Sequence, residues 1–339
     1  MRLLLTGHQG YLGTVMAPVL AEAGHEVVGL DSGLFADCVL GPPPADPETY
    51  AVDLRDVRPE HLAGFDAVVH LAALSNDPLG SLAPELTYDI NHHASSRLAR
   101  LARDAGVRRF LYASTCSVYG ASGGDDLLDE DAPLRPVTPY AESKVRVEDD
   151  LTALADDDFT PVFMRNATAF GFSPRLRADI VLNNLVGHAC LSGEVRVLSD
   201  GTPWRPLVHA RDIAEAFAAA LAAPREAVHA KAFNVGTERN NLTVAEIADE
   251  VVEAVPGATL VITGEAGADP RSYRVDFSRI RAALPGYEAR WSVKDGAVEL
   301  VDAYREYGLT KEDFERRFTR LARLSDRREA GAVDSSLRP

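Results

Sequence analysis

Short apolar runs alternate with longer stretches of helical spacing through the first half of the chain. The runs are Arg2 to Thr6, Glu26 to Leu30, Ala67 to Leu71, Arg109 to Ala113 and Thr160 to Arg165. Between them Tyr11 to Ala23, Pro84 to Ala105 and Tyr140 to Ala155 read as helices. That rhythm predicts an α/β fold, a Rossmann-type doubly wound parallel sheet with helices on both faces. Pro18 sits inside the first helical stretch. It removes a backbone donor, so the helix is expected to continue with a bend.

The second half is less regular. Helical stretches at Ile180 to Leu191, Asp212 to Ala222 and Thr243 to Ala254 are separated by short strands near Val195 to Leu198 and Ala232 to Val235. Thr243 and Glu246 form a T-x-x-E capping box that marks one helix start. Segments rich in Pro and Gly at Gly41 to Pro47 and Ala121 to Gly124 read as surface loops, and the acidic run Asp125 to Asp131 reads as a solvated loop rather than a metal site. From about Ser325 the composition turns polar and small, which predicts a disordered tail. No internal repeat is present.

At 339 residues and 46% hydrophobic content the chain can bury one large core or two adjoining ones. The formal net charge of -16 argues against nucleic acid or an anionic membrane as partner, since both need a basic face. Three cysteines, Cys38, Cys116 and Cys190, show no CxxC spacing. Neither a disulfide framework nor a zinc site is indicated, and no metal is expected. The first apolar run is too short for a signal peptide and no stretch approaches a membrane span, so a cytoplasmic protein is expected.

The candidate chemistry begins directly after the first run, at Gly7-His8-Gln9-Gly10-Tyr11-Leu12-Gly13. The spacing is G-x-x-G-x-x-G, but the motif follows a predicted strand, opens a helix, and is followed about 20 residues later by Asp31 at the end of a second strand. Glycine is needed where backbone N–H groups must approach a diphosphate at the positive end of a helix. A carboxylate at Asp31 would accept from adenosine ribose hydroxyls and repel a 2′-phosphate, which favours NAD over NADP. Asp53-Leu54 is placed to receive the adenine amino group and flank the ring, although taken alone the pair reads as structural. Leu71, Ala72 and Ala73 end the fourth strand with residues small enough to let a cofactor pass closely. Asn91 is a further candidate cofactor contact.

Tyr140 and Lys144 stand at i and i+4 and share one helix face. An ammonium and an oxidised nicotinamide nearby would draw the phenol's acidity toward neutrality, so that Tyr140 takes the proton of a substrate hydroxyl. Only four lysines occur against 31 arginines, so a lysine here is not a routine surface cation.

With these motifs on the page, the chain resembles the extended short-chain dehydrogenase/reductase family, in particular its NAD-dependent nucleotide-sugar epimerases and dehydratases. The resemblance runs through Thr6-Gly7-x-x-Gly10-x-x-Gly13, Asp31, Asp53-Leu54, His70-Leu71-Ala72-Ala73, Ser114-Thr115-Cys116-Ser117-Val118-Tyr119-Gly120 and Tyr140-x-x-x-Lys144. It continues through Gly201-Thr202-Pro203-Trp204-Arg205-Pro206-Leu207-Val208-His209, Asp212 and Asn234-Val235-Gly236. It implies an NAD-binding domain over 1–170, its sheet completed by parts of 205–236. A smaller mixed α/β substrate-binding domain follows over 171–324 with interleaved segments, leaving 325–339 as the tail. It also implies Thr115, Tyr140 and Lys144 as catalytic residues, with Tyr140 and Lys144 contacting the cofactor as well, and Arg205 and Arg271 as ligands of a substrate diphosphate. Ser75, Thr115, Cys116, Ser117, Asn166, Thr168 and Asn183 are the remaining candidate contacts to a nucleotide-diphosphate sugar. A homodimer through the helices Pro84 to Ala105 and Tyr140 to Ala155 is the implied assembly.

Two departures narrow the reaction. The family's 4,6-dehydratases follow Thr with Asp and Glu as acid and base, and here those positions are Cys116 and Ser117. Decarboxylating relatives carry a glutamate at the Ser117 position. A C3/C5 epimerase branch uses cysteine, but one residue later than Cys116, so Cys116 reads better as a small buried hydrophobe. Thr168 replaces an asparagine that often contacts the sugar nucleotide, a role for which Asn166 or Asn183 could compensate. The expected reaction is 4-epimerisation through a transient 4-keto sugar, with hydride returned from NADH. The alternatives are a net NDP-sugar dehydrogenase or reductase, a 4,6-dehydratase or a decarboxylase, and more remotely a non-catalytic NAD-responsive regulator.

Overall fold

The structure, a computed structural model, describes residues 1–75, 83–121, 127–264 and 271–338. Most of the expected Ala121 to Gly124 loop, together with Asp125, Asp126, Asp269 and Pro270, lies outside the described residues.

Seven strands form one sheet: β1 (Arg2–Thr6), β2 (Glu26–Asp31), β3 (Glu48–Ala51), β4 (Ala67–His70), β5 (Arg109–Thr115), β6 (Thr160–Asn166) and β7 (Lys231–Val235). Their order is β7-β6-β5-β4-β1-β2-β3 and every pairing is parallel. The sheet is doubly wound, as expected, with its topological switch between β1 and β4. Successive side chains of a strand face opposite ways, and the core shows it. Leu3, Leu5, Val69, Leu111 and Val162 enter one apolar cluster, while Leu4, Val68, Phe110 and Phe163 enter another on the opposite face. Strands buried on both faces explain why these runs read as continuously apolar.

The longer helices are α1 (Tyr11–Glu22), α2 (Ser95–Asp104), α3 (Pro139–Leu154), α4 (Val181–Ser192), α5 (Ala210–Ala222), α6 (Val244–Ala254), α7 (Val293–Glu306) and α8 (Arg320–Glu329). Helix α1 runs through Pro18. The stretch read as one helix from Pro84 instead begins with Pro84–Thr87, passes through a π-helical segment at Tyr88–Ala94 and continues as α2. Thr243 and Glu246 close the capping box of α6 from both sides. A third core surrounds α4, α6 and α7, where Leu182, Val186, Ile247, Val251, Ala297 and Leu300 are buried.

Two expectations are corrected. The tail from 325 is not disordered: α8 continues to Glu329, and Val333 and Leu337 are each 5% exposed in a cluster with Leu74 and Leu324. Isolated apolar residues in a polar segment find partners only across the chain, and composition does not show those partners. The acidic run is not wholly solvated either. Glu130 is buried, accepts from the Asn234 backbone N–H at 2.7 Å and faces Arg279 at 3.3 Å.

Candidate active site

A cavity of about 850 Å³ opens at the carboxyl ends of the strands, beside the switch point between β1 and β4. Open α/β sheets bind ligands at such a point, because adjacent connections leave it in opposite directions. Gly7, Gly10, Tyr11, Leu12 and Gly13 line the cavity where β1 turns into α1. Gly7 has φ +74°, and a Cβ there would stand 2.8 Å from the Ala72 nitrogen. A Cβ on Gly13 would meet the Gly7 carbonyl oxygen at 2.2 Å, so only glycine lets α1 start this close to the turn. The first turn of α1 contains no acidic residue, which leaves the positive helix end free to face an anion.

Asp31 lines the same wall, its two oxygens accepting from Gln9 N at 3.0 Å and Gly33 N at 2.9 Å. Burial pushes its carboxyl above the usual range, with the two N–H bonds opposing. Asp53 and Leu54 are also on the wall. Asp53 caps the turn by accepting from Arg55 N, and it holds the Arg55 guanidinium through both oxygens at 2.9 and 2.7 Å. Leu71, Ala72, Ala73 and Ser75 follow β4 along the cavity floor. Ser75 Oγ accepts from Arg177 at 3.0 Å.

The chemistry-bearing end is built on β5 and α3. Thr138 caps α3 by accepting from Ala141 N at 3.2 Å, and Pro139 pre-sets the first turn. Ala141, Ser143, Lys144, Val147, Glu148 and Leu151 are its buried positions, so the helix presents Tyr140 and Lys144 toward the sheet end. Both line the cavity with Thr115. The Lys144 ammonium donates to the Ala113 carbonyl at 2.7 Å and lies 4.7 Å from the Tyr112 ring centre and 5.6 Å from that of Tyr140. Burial pushes it down to about 7, with the Glu148 charge opposing. An ammonium of that acidity can change its own protonation near neutral pH.

Ser117, Asn166, Thr168, Arg205 and Arg271 complete this end. Ser117 Oγ accepts from Arg271 at 3.3 Å, and Arg205 donates to the Trp204 carbonyl at 2.9 Å and to the Arg271 carbonyl. Asn166 Nδ2 reaches the Ser114 carbonyl at 3.3 Å while its buried Oδ1 has no hydrogen-bond partner.

Three candidates are not brought to the cavity. Asn91 spends its amide on Leu74, accepting from its N–H at 2.7 Å and donating to its carbonyl at 3.0 Å, so it shapes the floor instead of touching a cofactor. Asn183 accepts from Gly171 N and donates to the Gly171 and Arg177 carbonyls, each at 3.1 Å. Cys116 is 1% exposed, its thiol turned to the Arg165 carbonyl at 3.1 Å and pushed well up by burial. Buried side-chain amides bind backbone because an unpaired polar atom is costly there, and no local motif announces which backbone. Sequence reasoning also missed Gln9, the Arg177–Asp179 pair, and Arg320, Leu324 and Leu337, all on the wall. Gln9 is a variable position inside the glycine motif, and the others come from segments with no motif, the last three from the end of the chain expected to carry none.

The model of the NAD dependent epimerase/dehydratase family matches residues 3–236. The chain belongs to that family. It is an enzyme, and NAD is its cofactor. The glycine turn, Asp31 and the small residues after β4 fit that cofactor: they offer N–H groups, a carboxylate and room on one wall. The enzyme is 37% identical over 161 residues to a UDP-glucose 4-epimerase of Streptomyces lividans, an alignment covering 45% of this chain and about half, 47%, of that protein. It is 30% identical over 331 residues to a dTDP-glucose 4,6-dehydratase of Streptomyces niveus, covering 90% of this chain and 93% of that one. The solved structure of MoeE5 in complex with UDP-glucose and NAD matches with a TM-score of 0.77 and 27% identity, over 91% of this chain and 100% of that chain. Relatives of both reaction types therefore share this fold. Among the described residues, no helix is long and apolar enough to cross a membrane.

Proposed function

We propose that the enzyme epimerises a nucleotide-diphosphate sugar at C4 through a transient 4-keto sugar. The observation that carries this reading is the chemistry of the stretch after β5. Thr115 and Ser117 bring hydroxyls to the cavity, the Cys116 thiol points away, and among the described residues no carboxylate accompanies them. Of the described acids on the wall, Asp31 lies beside the glycine turn, Asp53 holds Arg55, and Asp179 holds Arg177. Dehydration would require an acid to protonate a departing hydroxyl. Epimerisation at one carbon requires only a group that accepts the hydroxyl proton and gives it back.

Tyr140 fills that role, with Thr115 holding the same hydroxyl and Lys144 favouring the phenolate through its charge. NAD, when bound, supplies the hydride acceptor and returns the hydride, so no external oxidant is consumed. Arg205 and Arg271 hold the sugar nucleotide's diphosphate, which leaves the sugar free to turn between the two half-reactions. A homodimer through residues 84–104 and α3 belongs to the same reading, and sedimentation of the full chain tests it.

The decisive experiment incubates the enzyme with catalytic NAD and UDP-, dTDP-, GDP- and CDP-sugars in deuterated water, following products by chromatography and mass spectrometry. An isomer without deuterium supports hydride return at C4. Deuterium in an isomer indicates C3/C5 epimerisation, and loss of water with deuterium uptake indicates a dehydratase; either overturns the proposal.

A further inference from the structure

Arg320, the first residue of α8, lines the cavity although it comes from the far end of the chain. It is 5% exposed, and its guanidinium lies 4.4 Å from the Phe35 ring centre. Neither terminal nitrogen has a hydrogen-bond partner. The neighbouring Cys38 thiol is a weak acceptor and satisfies neither. The charged groups facing it do not compensate. Asp179 is engaged through both oxygens by Arg177, at 3.0 and 3.2 Å, and Arg177 itself repels a second cation. Burial, with that repulsion, pulls the guanidinium down to about 10. A buried, unpaired arginine is costly, and the cost is recovered when an anion with matching acceptors enters.

The segment is fastened so that this side chain stays in place. Arg323 pairs with Asp37, and Arg327 donates to the Leu34 carbonyl at 3.0 Å. Leu324 and Leu337 pack on Leu74, and Arg338 closes the end on Asp56. Leu34 and Asp37 follow Asp31 in the chain and Asp56 follows Asp53, while Leu74 follows β4.

We propose that Arg320 is a diphosphate-binding residue of the cofactor site, supplying from the end of the chain a cation that the glycine turn lacks. The inference rests on assigning the Gly7 to Gly13 turn and Asp31 to NAD. A diphosphate could come from the dinucleotide or from the sugar nucleotide. The neighbours favour the dinucleotide. Phe35 and Cys38 follow Asp31 on the loop after β2, whereas Arg205 and Arg271 gather beside Ser117.

Calorimetric titration of the full chain tests this with NAD, ADP, adenosine, UDP and dTDP as probes, on Arg320→Met, Arg320→Lys and Asp31→Ala. Arg320→Met keeps the packing stem and is expected to weaken NAD and ADP about 10- to 100-fold while leaving adenosine, UDP and dTDP within about twofold. Arg320→Lys keeps the charge without the planar fork, and an intermediate loss of about 3- to 10-fold is expected. If Arg320→Met does not fold, the lysine variant carries the same comparison of NAD with adenosine. Unchanged NAD affinity overturns the proposal, as does an equal loss of NAD and adenosine, which would make Arg320 a wall residue only. Loss confined to UDP or dTDP would assign it to the substrate and also overturn it. Asp31→Ala separates the two readings: if it leaves NAD and adenosine unchanged, the cofactor assignment itself has failed, independently of Arg320.

Discussion

The two ends of the cavity are built in opposite ways. At the Tyr140 end the working groups come from β5 and α3, and Lys144 is fixed by a carbonyl only 31 positions away. At the Asp31 end the wall is finished by α8 and the residues after it, fastened by contacts such as Arg323 to Asp37, 286 positions apart. The first end is held by a helix packed on a sheet and by buried bonds. The second is held by partly exposed arginine–aspartate pairs and a small apolar cluster. Exposed pairs are weak and screened by salt, whereas buried bonds are not. The Tyr140 end is therefore expected to respond less to salt than the contacts that fasten α8 and the residues after it.

The sharpest way to break this comparison is Tyr140→Phe. Turnover is expected to fall about 10²- to 10⁴-fold, the range for losing a positioned acid–base group, with NAD affinity held within a few-fold by titration. A comparable loss of NAD affinity would mean that the two ends are not separable.

Lys144→Met comes next. Its ammonium is held at about 7 in the folded chain against an ordinary 10.5. Between those values the unfolded chain binds the extra proton, so wild-type stability is expected to rise with pH across that window. Below about pH 7 both states are protonated and the cost of burying the ammonium is fully present. Denaturant unfolding of Lys144→Met should lose that slope, with the variant's relative advantage greatest below pH 7 and shrinking toward 10.5, while turnover is strongly reduced.

Leu337→Asp places a charge in the cluster with Leu74 and Leu324. It is expected to release residues after α8 to limited proteolysis and to weaken NAD about tenfold, in keeping with the roughly 1.5–3 kcal/mol of burying such a side chain. Turnover at saturating NAD should stay near wild type. Cys116→Ala is the smallest change: stability falls by about 1–2 kcal/mol from the lost buried contact, and turnover stays within about twofold. A large loss of turnover would give the thiol a chemical role that its orientation toward the Arg165 carbonyl does not support.

Much of the chemical end was legible in the chain itself. The i, i+4 spacing of Tyr140 and Lys144 needs only helical geometry, and the glycine turn between β1 and α1 needs only adjacent elements. Asn91 and Asn183 show where that reasoning stops, since each is a plausible ligand by its sequence and each is spent on backbone earlier in the chain. Glu130 shows the same limit in an acidic run, where one carboxylate of several is turned inward.

The sequence by itself determined the family and the parallel sheet, and it placed the glycine turn between β1 and α1 and Tyr140 and Lys144 on one helix face, because these rest on periodicity and on contacts within one or two elements. Only the tertiary structure decided that Asn91 and Asn183 spend their amides on backbone, that the residues after 325 form the rest of α8 and an apolar cluster, and that Arg320 enters the cavity with no hydrogen-bond partner on either terminal nitrogen. Those outcomes depend on which distant surfaces meet, and the free energy of burying a side chain is set by partners that local order along the chain does not encode.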